Sequence, residues 1–351
     1  MKIVYEKLVV RNFGPISNLD IVIRPLTLFI GTQGSGKSTV AKLLTICRNI
    51  VVSPQEAEQH DTIFRDYGLA DYFEDDSYFS YTIDGRSVTY GEGKFSFPNE
   101  ELPDVKPTLY VSAERNLVGS MSEAVASLWS AKIPLSSLLL NCMSQFERAA
   151  KMFPRYSIPF FGVDYVRQDH RNMIELKGKD KFLPLSVSSS GLQSAIPMLM
   201  IVDYALKSGD RDAIVIEEPE QNLFPENQRE VLNFIASRLN GGENRQSILT
   251  THSPYLLSCL NVLMLAHKLH EQEEFREQVE SIVKPEYMFD PNDVAAYSLN
   301  PDDEDGIYCK SLISEKTGMV SVNELDSVSI YIGDEFDRLY RLYIKRIKGK
   351  K

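Results

Sequence analysis

One stretch, Gly31-Thr32-Gln33-Gly34-Ser35-Gly36-Lys37-Ser38-Thr39, constrains this chain more than any other. It fits the pattern G-x-x-x-x-G-K-[ST], with Gly31 and Gly36 as the framing glycines. Residues 25–30 before it form a short apolar run that predicts a buried strand, and residues 40–46 after it are apolar at helical spacing. Strand, glycine loop and helix in that order turn the pattern into a phosphate site. Glycines let the backbone curl so that successive N–H groups face one anion, and the new helix adds its positive end there. Lys37 can then reach the β- and γ-phosphates, the Ser38 hydroxyl can ligate Mg²⁺, and Gly34, Ser35 and Thr39 complete the loop. The expectation is a nucleoside triphosphate site with Mg²⁺.

Composition narrows what surrounds that site. At 351 residues the chain can bury a substantial core as one large domain or two. A net charge of −11 argues against a surface that is basic all over, but leaves room for a local basic face. Residues 148–181 carry eight Lys/Arg against four acids, an excess that reads first as a solvated face and second as a nucleic-acid or partner surface. No apolar run approaches a membrane span and the N-terminus lacks a signal-peptide core, so no membrane partner is expected. Cys47, Cys142, Cys259 and Cys309 stand far apart with no C-x-x-C pair, as reduced thiols in a cytoplasmic protein would.

Along the chain, residues 1–30 hold three apolar segments that read as strands leading to the phosphate loop. Two β-prone runs flank Asp84-Gly85, a strong hairpin signal, and Lys94-Phe95-Ser96-Phe97 offers a third strand. This predicts a small antiparallel sheet inserted at about 54–107. Residues 117–150 are helical in pattern with a break at Pro134, and 155–185 return to short strands. A helix from Gly191, a strand at 213–216, a helix at 225–239 and a strand at 247–250 follow. Two strand-like pieces near 294–299 and 307–313 flank Asp302-Asp303-Glu304-Asp305, and a charged helix near 327–347 closes the chain. Strands alternating with helices around a phosphate loop indicate an α/β core with a largely parallel sheet.

Three further motifs bear on the chemistry. The apolar run 213–216 ends in Glu217-Glu218-Pro219-Glu220, and a strand end beside the phosphate loop can offer Glu217 to Mg²⁺ and Glu218 to the attacking water. His252 directly follows another strand and can hydrogen-bond a γ-phosphate, whereas His267 and His270 lie in a charged helical stretch and read as surface residues. Ser188-Ser189-Ser190-Gly191-Leu192-Gln193 opens a helix about 25 residues before the Glu-Glu strand.

Phosphate loop (31–39), serine-glycine helix start (188–193), Glu-Glu strand (213–218) and histidine (252) stand in the order of a known family. The chain resembles ABC-type ATPases of the SMC/RecF/OLD kind, the AAA-15/AAA-21 group of stand-alone ATPases. Residues 1–50 and 186–260 carry the resemblance, and the Glu-Pro-Glu-Gln-Asn-Leu-Phe-Pro run at 218–225 resembles that family's D-loop. The implied fold is a P-loop ABC-type ATPase head: core halves at 1–112 and 186–284, a helical and mixed lobe at 113–185, and a C-terminal extension at 285–351. The resemblance implies Glu218 as general base, Glu217 and Ser38 at the metal, and His252 as the switch histidine. It also implies two ATP molecules held between head-to-tail protomers, with Ser190, Gly191 and Gln193 of one facing the P-loop of the other. Departures are Leu192 for a second glycine, Glu217 for the usual aspartate, and no clear Q-loop glutamine, whose place Glu114-Arg115 takes approximately. The Arg11-Asn12-Phe13 turn resembles a segment near the nucleotide, though Phe13 equally suits a core.

No long heptad run supplies a coiled-coil arm, and residues 270–351 are too short for a nuclease domain, with Asp334-Glu335-Phe336-Asp337 on a helical pattern. The leading expectation is a compact ATPase switching shape with ATP, in DNA maintenance or anti-phage defence, beside a separate effector such as a nuclease or toxin. A scaffold that sequesters a toxic partner with slow or triggered hydrolysis is the second expectation. A transporter nucleotide-binding subunit is the third.

Overall fold

The computed structural model describes residues 6–121, 130–132, 134–179, 181–300, 306–321, 335, 336 and 338–340. The acidic run at 302–305 and most of the expected helix near 327–347 lie outside the described residues, as does part of the helical region at 117–150.

Fully buried apolar runs become a sheet covered on both faces. Strands β3 (Leu26–Gly31), β12 (Ala213–Glu217) and β13 (Gln246–Thr250) are buried at every position. That continuous burial is what a parallel sheet packed on both sides requires. They belong to a six-stranded sheet ordered β15-β14-β3-β13-β12-β7, with β7 at Thr108–Val111, β14 at Val294–Leu299 and β15 at Cys309–Ser311. All its pairings are parallel except β14 with β15. Alternate residues feed two cores, as the period of two demands. Leu26, Leu28, Ile30, Ile214 and Ile216 enter one, and Phe29, Val215 and Ile248 the other.

The second core holds α1 (Lys37–Val52) between this sheet and a five-stranded antiparallel one ordered β2-β1-β4-β5-β6. There β1 is Glu6–Phe13, β2 Ile16–Ile23, β4 Phe73–Ile83, β5 Arg86–Gly91 and β6 Lys94–Ser96. The expected hairpin is present, with Asp84 and Gly85 at φ 47° and 80° joining β4 to β5. The inserted antiparallel strands continue the sheet begun by β1 and β2, because β4 pairs with β1 along nearly its whole length, from Glu6 opposite Ile83 to Arg11 opposite Tyr78. Only β3 of the first three strands leads into the phosphate loop; β1 and β2 fold over α1. Phe13 is a core residue, fully buried with Phe64, Phe73 and Phe79 edge-on or tilted around it. A polar tie locks α1 in place: Arg48 reaches Glu6 (2.6 Å) on β1, Gln246 (2.6 Å) on β13 and Asp212 (2.9 Å), and Tyr81 donates to Glu6 (2.6 Å).

On the opposite face of the core sheet lie α2 (Ser137–Met152), α3 (Ser190–Ser208), α4 (Pro225–Asn240) and α5 (Pro254–His270). A four-stranded antiparallel sheet, β11-β10-β9-β8, packs on the same core, with β8 Arg155–Ile158, β9 Val163–Gln168, β10 Arg171–Leu176 and β11 Phe182–Pro184. Some basic residues of this sheet and of the adjoining end of α2 are paired with acids. Arg155 binds Asp164 (2.8 Å) and Glu175, Lys177 lies 3.3 Å from Asp164, and Lys151 pairs with Glu147 at 2.7 Å. Within the segment expected as a C-terminal extension from 285, β14 is the parallel neighbour of β3 in the core sheet.

Candidate nucleotide site

The site forms at the carboxyl ends of β3, β12 and β13, where an open α/β sheet leaves a crevice. A 240 Å³ pocket there is lined by Gln33, Gly34, Gly36, Lys37, Ser38, Thr39, Glu218, Thr250 and His252, with Pro15 and Tyr72 at its edge. Gly31, Gly34 and Gly36 have φ of 149°, 81° and 91°, a backbone region open to glycine at little cost. A Cβ on Gly34 would meet nothing within 4 Å, so the loop is open at that point. Lys37 is 6% exposed, and its Nζ donates to Gly31 O (3.0 Å), Thr32 O (2.8 Å) and Ser35 Oγ (3.3 Å). Burial lowers its pKa to about 8 against the opposing pull of Glu218 and Glu220. A nearly buried ammonium held only by neutral acceptors is a cation in want of an anion, and a polyphosphate suits it.

Glu218 follows the last strand residue and sits at φ 43°, unusual for a side chain of this kind. Such a kink costs on the order of 1–3 kcal/mol and persists where neighbours over-determine it. Here the neighbour is Arg115, which is fully buried. Its guanidinium donates to Glu217 O and Glu218 O, both at 2.5 Å, and to Ser112 O at 3.2 Å. Glu218 N donates to Thr250 O at 2.9 Å, so adjacent strands hold the kink from both sides. Burial lowers the Arg115 pKa to about 10, which still leaves it charged at neutral pH. The Glu114-Arg115 pair thus occupies a specific place: Arg115 braces the Glu-Glu turn, while Glu114 accepts from Ser136, the residue capping α2.

The kink turns the two carboxylates apart. Glu218 lines the pocket, and its Oε1 lies 3.6 Å from His252 Nε2. Glu217 is 6% exposed and its Oε2 accepts from Ala113 N at 3.0 Å, on the β7 side. Of the two expected metal ligands, Ser38 therefore lines the pocket and Glu217 stands behind it. No cluster of three or more His, Cys, Asp or Glu suited to a metal occurs among the described residues. Mg²⁺ in a nucleotide site needs none, because it is held by one or two protein oxygens, water and substrate phosphates. The Ser38 hydroxyl, with a carboxylate close by, fits that pattern.

His252 is positioned by Glu220, which sequence reading passed over. Glu220 Oε1 accepts from Thr251 Oγ1 (2.6 Å) and His252 N (2.9 Å), tying the 218–220 turn to the loop after β13. Burial, and then the Lys37 ammonium, hold the His252 pKa below its ordinary value despite Glu218. The imidazole is therefore neutral at pH 7 and can donate from one nitrogen while accepting at the other.

Ser190, Gly191 and Gln193 lie apart from the pocket lining, at the start of α3. Ser190 is exposed, and Gln193 Nε2 folds back onto Ser186 O (3.2 Å) and Ser188 O (2.8 Å). Gly191 is pressed against the 218–224 segment, where an added Cβ would sit 2.8 Å from Asn222 O. Pro15 and Tyr72 are further site residues without a spacing signal, because each arrives through long-range packing, whereas Arg115 belongs to the pair expected at about the Q-loop place.

An α/β fold with a phosphate loop at a core strand's carboxyl end defines a P-loop nucleotide-binding protein. A family model for the AAA ATPase domain (AAA_15) matches residues 1–101 and 120–257, and the chain belongs to that family. Among solved structures, an SMC head bound to the C-winged helix domain of ScpA is similar at 15% identity. That likeness covers 89% of this chain and 98% of the other, with a TM-score of 0.45. The SMC head domain from Thermotoga maritima is 13% identical over 73% of this chain and 91% of its own, with a TM-score of 0.42. The recombination mediator RecF of the RecFOR pathway is 11% identical over 88% and 98%, with a TM-score of 0.43. No match is found among curated proteins. No helix among the described residues is long and apolar enough to cross a membrane.

Proposed function

We propose that the chain hydrolyses ATP in this pocket, with Glu218 as general base and His252 orienting the γ-phosphate and the attacking water. The observation that carries this reading is the Glu218–His252 pair, 3.6 Å apart in the pocket that the P-loop lines. Glu218 takes a proton from water, the water oxygen attacks the γ-phosphorus, and the β–γ bridging oxygen leaves with ADP. Lys37 and the loop N–H groups offset charge on the leaving side, and Tyr72 offers a half-exposed ring to the nucleobase at the pocket edge. Mg²⁺, when bound at Ser38, would neutralise phosphate charge, with Glu217 reaching it through water. Positioning and electrostatics supply most of the rate in such transfers.

In this reading ATP also closes two copies head to tail, with Ser190, Gly191 and Gln193 of one copy across the pocket of the other. Support comes from the exposed N-terminus of α3, a 19-residue helix whose first turn can take an anion, set away from its own chain's pocket. By resemblance, the switch serves DNA maintenance or anti-phage defence with a separate effector. Lys151, Arg155 and Lys177 are paired with acids on the 148–181 face, which leaves a protein effector and nucleic acid both open as partners.

The test is the solution mass and turnover of Glu218→Gln. Losing the base while keeping its shape should lower kcat by at least ~10²-fold. It should also leave a dimer that forms only with MgATP. Wild-type turnover in the variant would remove Glu218 from its role, and a mass indifferent to ATP would remove the ATP-driven clamp.

A further inference from the structure

The segment beyond residue 285 touches the phosphate loop at both framing glycines. The Tyr308 hydroxyl donates to Ser35 O at 2.7 Å, and the residue is 3% exposed. A Cβ on Gly36 would lie 2.5 Å from that hydroxyl, and one on Gly31 would lie 2.3 Å from Leu299 O at the end of β14. The backbone of Tyr308 is itself fixed, since its carbonyl accepts from Asn300 N at 2.8 Å. Both glycines are thus demanded by the close approach of this segment, as well as by the curl of the loop.

The consequence follows from peptide geometry. A trans peptide unit points its C=O and N–H in opposite directions, and no cis bond occurs among the described residues. Gripping Ser35 O from the Tyr308 side therefore turns the Gly36 N–H the other way, towards the pocket that Gly36 lines. We propose that Tyr308 is a positioning residue for the nucleotide: its hydroxyl locks the Ser35–Gly36 peptide so that the Gly36 N–H donates to a phosphate oxygen. The proposal rests on the nucleotide reading above. It makes the 306–311 segment a second control on affinity, because a partner that draws Tyr308 away would weaken nucleotide binding, and bound nucleotide would resist that partner equally.

Tyr308→Phe keeps the ring and removes only the hydroxyl. Losing one hydrogen bond that pre-orients a donor should weaken MgATP and MgADP binding by about 3- to 10-fold. AMP, which lacks the phosphate that the loop grips most closely, should be held as before. In steady state KM should rise while kcat stays within about twofold, since the bond acts on ground state and transition state alike. A thermal midpoint measured without nucleotide separates this from general damage to the fold. Wild-type protein that binds ATP while Tyr308→Phe binds it equally well overturns the inference, as does equal weakening for ATP and AMP. Wild-type protein that binds no nucleotide overturns the nucleotide reading itself, and the role of Tyr308 with it.

Discussion

Lys37 shows how one side chain can hold the site in a poised state. Its pKa of about 8, against 10.5 for a free lysine, records an ammonium that burial disfavours. Between those values the folded chain carries fewer protons at Lys37 than the unfolded one, so this lysine's contribution to stability improves as pH rises through that window. Triphosphate reverses the balance by supplying negative charge, which pulls the pKa back up. Binding of ATP at about pH 8.5 should therefore take up a proton, and at about pH 6.5, where Lys37 is already charged, this uptake should vanish. Calorimetry in buffers of different ionisation enthalpy reads the proton number directly. A binding enthalpy at the higher pH that ignores the buffer would contradict this account of Lys37. Affinity should also fall as pH climbs past the lysine's own value.

At the scale of elements, the start of α3 answers to two masters. Gly191 packs on the carbonyl of Asn222, so Gly191→Ala forces backbone apart within a single chain. The expected cost is about 1–3 kcal/mol of folding stability, read by denaturant unfolding of the nucleotide-free protein. Ser190 is exposed, and Ser190→Ala should leave that stability within ~0.5 kcal/mol while weakening the ATP-dependent dimer. A glycine substitution that unfolds no sooner than wild type would show that the 218–224 segment yields easily. The same contrast explains what the sequence could reveal. Strands β3, β12 and β13 were legible because each carries an apolar stretch that runs into a motif, and the Asp84-Gly85 turn because only certain residues adopt its dihedrals. The pairing of β1 with β4 and the Arg48 tie were not legible, and for Arg115 only its approximate place was, not its grip on the Glu-Glu turn. Each depends on which distant segments meet, and no local period or spacing records that.

At the scale of the whole molecule, the Glu218–His252 pair and the P-loop share one pocket, while Ser190, exposed at the start of α3, is not among the residues lining it. If two copies complete each site, ATPase activity per mole of chain should rise with protein concentration before levelling off. A rate strictly proportional to concentration over two decades, with a monomer at the working concentration, would mean that one chain suffices. The sheet order β15-β14-β3-β13-β12-β7 sets a further condition. The phosphate-loop strand has β13 on one side and β14 on the other, and β14 ends only at Leu299. During synthesis, then, β3 emerges well before β14 and keeps a bare, buried-type edge until Leu299 has been made. Such an edge is a template for unwanted pairing. Any ribosome stall or proteolytic nick ahead of β14 leaves the phosphate-loop strand with a sticky edge, and a cell making this protein must shield that edge until β14 arrives.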